Sequence, residues 1–191
     1  MNRITFRGLA VGAVIVSAAG LASANVVTNS GFELAISPAN GWTNAGAFNS
    51  AATLGTITPH SGSAFAGTQF APRTLYTASM TQVLPLSSGN VVDFGMYYFQ
   101  LGALASANLT VILDGQTIYT NNVVASTPSW QAVSVTGITI NNNNPVLVLQ
   151  VTGNARSNAW GLDDVTVTPA PGAAALLGFS VLGVTARRRR A

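Results

Sequence analysis

Few residues in this chain are equipped for covalent chemistry. Its carboxylates are Glu33, Asp93, Asp114, Asp163 and Asp164, its single histidine is His60, and it has no cysteine. One histidine without cysteine cannot assemble a zinc centre of the usual His and Cys ligands. His60 sits between Pro59 and Ser61-Gly62, a setting that reads as a turn rather than as the environment of a base. No Gly-x-Ser-x-Gly elbow, phosphate-cradling glycine loop or dinucleotide fingerprint occurs. Glycoside hydrolysis needs two carboxyls facing each other across a cleft. Strict strand alternation sends the adjacent Asp163 and Asp164 to opposite faces, and no spacing favours Glu33 and Asp93 as a pair. The catalytic set is therefore empty, and the expectation is a non-enzyme.

Binding chemistry is better represented. An aromatic ring can stack on the C–H face of a pyranose while polar neighbours bond its hydroxyls. Trp42, Tyr97, Phe99, Trp130 and Trp160 are the candidates. Tryptophan in a small sandwich more often packs than binds, and Trp42 and Trp130 read as core. Tyr97 and Phe99 project opposite the apolar face of their own strand, so these two and Trp160 are the ligand-binding candidates.

The elements that must position these residues read as strands. Short apolar runs alternate with Gly, Pro, Asn and Ser clusters, and no long segment shows helical periodicity, which predicts an all-β sandwich. Asn25 to Asn29 reads as a first short strand, residues 48–58 as a weak one broken by Gly55, and Leu75 to Leu86 as a loosely alternating one. Val91 to Phe99 is the clearest strand, with Val92, Phe94, Met96 and Tyr98 on one apolar face. Leu109, Val111 and Leu113 repeat the pattern ahead of Asp114-Gly115, a hairpin-turn signal leading into Gln116 to Thr120. A strand from Trp130 places Val133 and Val135 on one side, and Asn141 to Asn144 forms a polar turn. Val146 to Val151, apolar almost throughout, predicts a central strand covered on both faces. Trp160 to Val167 closes the set at about eight or nine strands, close to the eight of a jelly roll.

Two greasy ends flank this body. Asn2 to Arg7 is a basic lead, Gly8 to Leu21 is apolar, and Ala22-Ser23-Ala24 supplies the small-x-small pattern read by signal peptidase, predicting a signal peptide over 1–24. At the other end, Thr168-Pro169-Ala170-Pro171-Gly172 precedes an apolar run from Ala173 to Ala186 and then Arg187, Arg188, Arg189 and Arg190. About 15 apolar residues make a helix of roughly 22 Å, short of the roughly 30 Å hydrocarbon core unless the arginines snorkel. The domain reading is therefore a signal helix over 1–24, a sandwich over 25–168 and a hydrophobic helical tail over 169–191. The chain carries a formal +3 overall. Between the ends, however, only Arg73 and Arg156 stand against the five carboxylates, a formal −3, which excludes nucleic acid as an expected partner. Without cysteine, an exported domain must rely on its core.

The order of proline motif, apolar segment and arginine cluster resembles the PEP-CTERM sorting signal of bacterial surface proteins. That resemblance implies removal by an exosortase-type membrane protease, a cell-surface destination, membrane anchorage that is at least transient, and a setting of exopolysaccharide and biofilm. Pro169 and Pro171 match its prolines, but Ala170 stands where the family has glutamate. A plain C-terminal anchor is the other reading of the same tail.

Asn29-Ser30-Gly31-Phe32-Glu33 with Gly41-Trp42, then His60-Ser61-Gly62-Ser63-Ala64, Trp130 and a closing Leu162-Asp163-Asp164-Val165-Thr166-Val167 are similar to the skeleton of carbohydrate-binding-module-like, galactose-binding-like jelly rolls. The resemblance implies first and last strands lying side by side, often tied by a structural calcium ion. Glu33 matches one ligand position and Asp163 the other, with Asp164 as its substitute. Asp163 is preferred because alternation puts it on the face of Val165 and Val167, where an unpaired carboxylate is costly. The same three residues are equally readable as turn-side groups with no metal. The functional expectation is an exported, non-catalytic surface protein associated with extracellular polysaccharide. The alternatives are a matrix or adhesion protein without a defined sugar and, less well supported, a secreted hydrolase.

Overall fold

A computed structural model describes residues 24–69, 75–102, 104–122, 126–127, 129–155 and 159–170. Ala22, Pro171 and Arg187 to Arg190 lie outside the described residues, as do the two expected terminal helices. Among the described residues no helix is long and apolar enough to cross a membrane.

Ten strands follow a short 3₁₀ turn at Pro38–Asn40: β1 Thr43–Ala45, β2 Asn49–Ala51, β3 Phe65–Gln69, β4 Leu75–Val83, β5 Val91–Leu101, β6 Leu104–Leu113, β7 Gln116–Asn122, β8 Gln131–Thr139, β9 Val146–Ala155 and β10 Ala159–Pro169. They form two five-stranded antiparallel sheets, β1-β4-β9-β6-β7 and β2-β3-β10-β5-β8, packed as a jelly-roll β-sandwich. The chain crosses between sheets repeatedly, so neighbours in space are distant in sequence.

Alternation on the long strands builds the interior. Val92, Phe94, Met96 and Tyr98 of β5 face Leu109, Val111 and Leu113 of β6 and Leu147, Leu149 and Val151 of β9 across one buried core. Trp42 and Phe32 are fully buried in it, their ring centroids 5.3 Å apart. Asp114 and Gly115 both take positive φ, 56° and 75°, as the tight β6–β7 hairpin requires. The Asp114 carboxylate also accepts from the backbone N–H groups of Asn141 and Asn142, pinning the asparagine turn to the hairpin.

The structure revises three strand expectations. Residues 25–29 form no regular strand, although Val26 N donates to Val167 O and Val165 N donates to Ser30 O, so the opening segment runs antiparallel beside β10. β9 is central in its sheet, yet only one face is covered. Leu147, Leu149 and Val151 are buried, while Val146 is 41% exposed, because no layer lies over that side. In β10 a bulge between Asp163 and Thr166, with Asp164 at φ 49°, inserts an extra residue. Leu162, Val165 and Val167 consequently point inward together, and Asp163 leaves the face of Val165. β10 also runs on through Pro169, which pairs with Val92, and Ala170 N donates to Val91 O.

Candidate functional site

The bulge decides where the carboxylates go. Asp163 stands opposite Tyr97 in the β10–β5 register, and directly opposed residues share a face. Its side chain therefore emerges on the outer surface of the second sheet, where the turn before β3 is laid over it. His60 N and Ser61 N donate to Asp163 Oδ2 at 2.9 and 3.2 Å, and Asp164 N donates to Oδ1 at 2.8 Å. Asp164 takes the side chains of the same two turn residues: Ser61 Oγ donates to Oδ1 at 2.6 Å, and His60 Nδ1 lies 2.6 Å from Oδ2. Glu33 holds the far side of the turn, accepting from Ser63 N, Ser63 Oγ and Ala64 N. Three carboxylates thus grip one segment, and Gly62, at φ 62°, is packed so closely that a Cβ there would overlap the Glu33 carboxylate.

Their electrostatic states differ. Asp163 is fully buried, and that burial pushes its carboxyl up to about 6 despite the three backbone donors; the neighbouring Asp164 charge adds to the rise. Glu33 is held below the usual carboxylate range by its hydrogen bonds to Ser63. Among the described residues, the one side chain able to carry positive charge that touches these carboxylates is His60, through Nδ1 on Asp164 Oδ2.

A Cβ on Gly31 would stand 3.6 Å from Asp164 Oδ1, 3.8 Å from Asp163 Oδ1 and 3.9 Å from Glu33 Oε1, so three carboxylates of the expected set surround a position that carries no side chain. Among the described residues, no group of three or more Asp, Glu, His or Cys side chains is arranged to hold a metal ion.

Beside this corner lies an aromatic ledge. The His60 ring stacks on Tyr97 with centroids 3.6 Å apart and planes 17° from parallel. Trp130 meets His60, Phe65 and Phe99 edge-on at 5.8 to 5.9 Å, and its Nε1 donates to Thr58 O. Phe99 and Trp130 pack against a small second cluster of Ile57, Phe65 and Ala159 beneath the residue 52–58 loop. Past Tyr97 the surface drops into a groove of about 330 Å³ lined by Gly95, Met96, Tyr97, Ala132, Val133, Ser134, Asp164 and Thr166, most of its exposed lining being apolar.

The candidates of the sequence are therefore partly assembled. Tyr97 lines the groove, and Phe99 supports Trp130 from behind. Trp160 is corrected: its position on β10 faces inward, it is fully buried against Tyr98, and it offers no surface to a ligand. Trp130, expected in the core, is instead half-buried on the outer face, where its ring lies over the bare backbone of Gly161. Asp163 and Asp164, expected on opposite faces, grip the same turn because of the bulge. Glu33 and Asp93 serve different segments, Asp93 accepting from Gly137 N. His60, Ser61 and Ser63, part of the jelly-roll resemblance but given no binding role by the sequence, hold the carboxylates. Their signal was a cluster of short polar donors around Gly62, close to the pattern of a carboxylate-binding turn.

No protein-family model matches the chain, and no curated protein matches it. Solved structures do. TmCBM61, a carbohydrate-binding module in complex with beta-1,4-galactotriose, is 20% identical with a TM-score of 0.59, covering 78% of this chain and 100% of its own. The K3 cleaved adhesin domain of Lys-gingipain from Porphyromonas gingivalis w83 is 13% identical with a TM-score of 0.58, over 77% and 100% of the two chains. The Stig cyclase Fisc from Fischerella sp. TAU is 12% identical with a TM-score of 0.56, over 79% and 99%. A sugar binder, an adhesin and an enzyme share this jelly roll, so the fold is common to them and function must be argued from the site.

Proposed function

We propose that this protein is an exported, non-catalytic surface protein that binds extracellular polysaccharide through the outer face of its second sheet. The observation that carries the reading is the ledge of Tyr97, His60 and Trp130 beside a groove whose polar lining comes from Asp164, Ser134 and Thr166. An aromatic wall next to hydroxyl and carboxylate acceptors is the combination a pyranose requires. The galactotriose bound by TmCBM61, on the same fold, supports a glycan as the ligand class. Export rests on the basic, apolar and small-x-small order at the N-terminus, and surface delivery through signal peptidase and an exosortase-type enzyme rests on the Pro169 to Arg190 tail. Calcium belongs to the proposal as a structural ion held by Glu33, Asp163 and Asp164, neutralising three carboxylates that have no lysine or arginine beside them among the described residues.

Affinity electrophoresis of the full chain against a polysaccharide panel tests the reading. Retardation by at least one polysaccharide, lost in Tyr97→Ala and Trp130→Ala, supports it; equal mobility in every gel overturns it. A matrix or adhesive role is the alternative, favoured by the open outer face of the first sheet. There the rows Thr81-Val148-Ile112 and Ser79-Gln150-Thr110 present no charge. Self-association of the pure protein without retardation by any sugar would select that role.

A further inference from the structure

The groove has a definite construction. Across three strands, Thr166, Gly95 and Ser134 form one row, and Asp163, Tyr97 and Ala132 form the next. Rows on one face of a sheet lie about 7 Å apart. Gly95 has no side chain, and a Cβ there would come within 2.7 Å of Thr166 Oγ1, which lies over this backbone and donates to Gly95 O, so the Thr166 hydroxyl forms part of the floor. Tyr97 walls one side. On the other side the following row contains Thr168 and Asp93.

Charge around this trough is one-sided. Asp164 lines it, Asp93 stands one row beyond, and neither lysine nor arginine occurs among the described residues. Asp164 accepts from Ser61 Oγ and lies against His60 Nδ1, but a carboxylate has about four lone-pair sites and keeps room for a further donor. With His60 neutral, a divalent ion seated against Glu33, Asp163 and Asp164 would still leave that corner one negative charge in excess. A uronate, sulfate or phosphate on a sugar would meet the Asp164 carboxylate with no lysine or arginine beside it among the described residues, whereas an ammonium would meet a partner already fixed in place.

We propose that the Tyr97–Gly95–Asp164 trough selects glycans by charge, taking amine-bearing hexosamine units, with Asp164 pairing the sugar ammonium and Thr166 and Ser134 bonding its hydroxyls, and excluding uronates. The proposal rests on the glycan-binding reading above and specifies its ligand class.

Titration calorimetry of the full chain with three probes tests it: deacetylated chitohexaose, its fully N-acetylated counterpart and an oligogalacturonate. The deacetylated probe is expected to bind about tenfold more tightly than the acetylated one at low salt, the margin shrinking as salt is added, with no heat from the galacturonate. Asp164→Asn, which tolerates the left-handed backbone, should erase the tenfold margin between the deacetylated and acetylated probes. Asp93→Asn, which can still accept from Gly137 N, should reduce the margin by a smaller factor. Equal binding of all three probes, or a margin indifferent to both substitutions, overturns charge selection while leaving glycan binding standing. Silence with every probe, together with unretarded mobility on the polysaccharide panel, overturns both.

Discussion

Asp163 on β10 stands directly opposite Tyr97 on β5, and one residue closes over both: His60 donates its backbone N–H to the Asp163 carboxylate and lays its ring on Tyr97. The buried acid and the half-buried aromatic wall are thereby coupled through a single turn. Loss of the His60 ring in His60→Ala should uncover Tyr97 and cost roughly 0.5–1.5 kcal/mol, the usual worth of a ring pair, read as a lower urea midpoint at unchanged slope. Wild-type stability in the variant would show that the stack does not hold the turn.

Asp163 sets a pH dependence of definite sign. Its carboxyl titrates at about 6 in the folded protein against an ordinary 3.8, so between those values the native state keeps a proton that the unfolded chain releases. In chelator-treated protein, stability should therefore decline as pH rises from about 4 to about 6 and level off above, by about 3 kcal/mol at most. Asp163→Asn should flatten that decline. Glu33 and Asp114, both held below the normal range, act in the opposite sense: the stability they supply is present above the ordinary carboxylate pKa and is lost on stronger acidification. Urea melts at half-unit pH steps would resolve the two regimes, and a wild-type profile in Asp163→Asn would count against the assignment.

Calcium should act on the same corner. An ion that binds the folded chain alone raises the thermal midpoint as its concentration increases, and favours the ionised form of Asp163. The midpoint is expected to rise with millimolar calcium and to fall with chelator, and Glu33→Gln should abolish the response. A midpoint indifferent to calcium and chelator would remove the ion from this junction.

Three buried polar atoms lie in one cross-strand row of the second sheet. Thr68 Oγ1, Trp160 Nε1 and Gln100 Oε1 have no hydrogen-bond partner, and Trp160 pairs with Thr68 on one side and Gln100 on the other. A buried hydroxyl without a partner costs about 1–3 kcal/mol, so Thr68→Val, which keeps the shape, should stabilise the protein by about 1 kcal/mol or more. Calorimetric melting gives the sign directly. A destabilised Thr68→Val would show that the hydroxyl is satisfied in solution.

Much of the fold was legible in the chain because burial on one face writes a period of two into a strand. Val92 to Tyr98 and Leu109 to Leu113 declared both their strands and their inward faces. What misled was local departure from that period. The extra residue at Asp164 reversed the faces of everything after it, and no composition rule marks a bulge whose left-handed residue is aspartate rather than glycine. Trp160 and Trp130 exchanged the expected roles for a related reason: one faces inward from a central strand, the other covers the bare backbone of Gly161, and neither relation is encoded next to the tryptophan itself. The turn at His60 was visible around Gly62, but its partners Tyr97, Trp130 and Asp164 are brought to it only by the sheet order.

The antiparallel run of residues 26–30 against β10 brings the two extremities of the sandwich to one corner, with Val26 bonded to Val167. In connectivity terms the domain is nearly a closed ring. A short linker from Ala170 to Asn25 would complete the circle, and the chain could then be cut at the exposed Asp114-Gly115 hairpin without displacing a core side chain. Mechanically, opposed forces applied at that corner would peel the opening segment from β10 one hydrogen bond after another instead of shearing several at once.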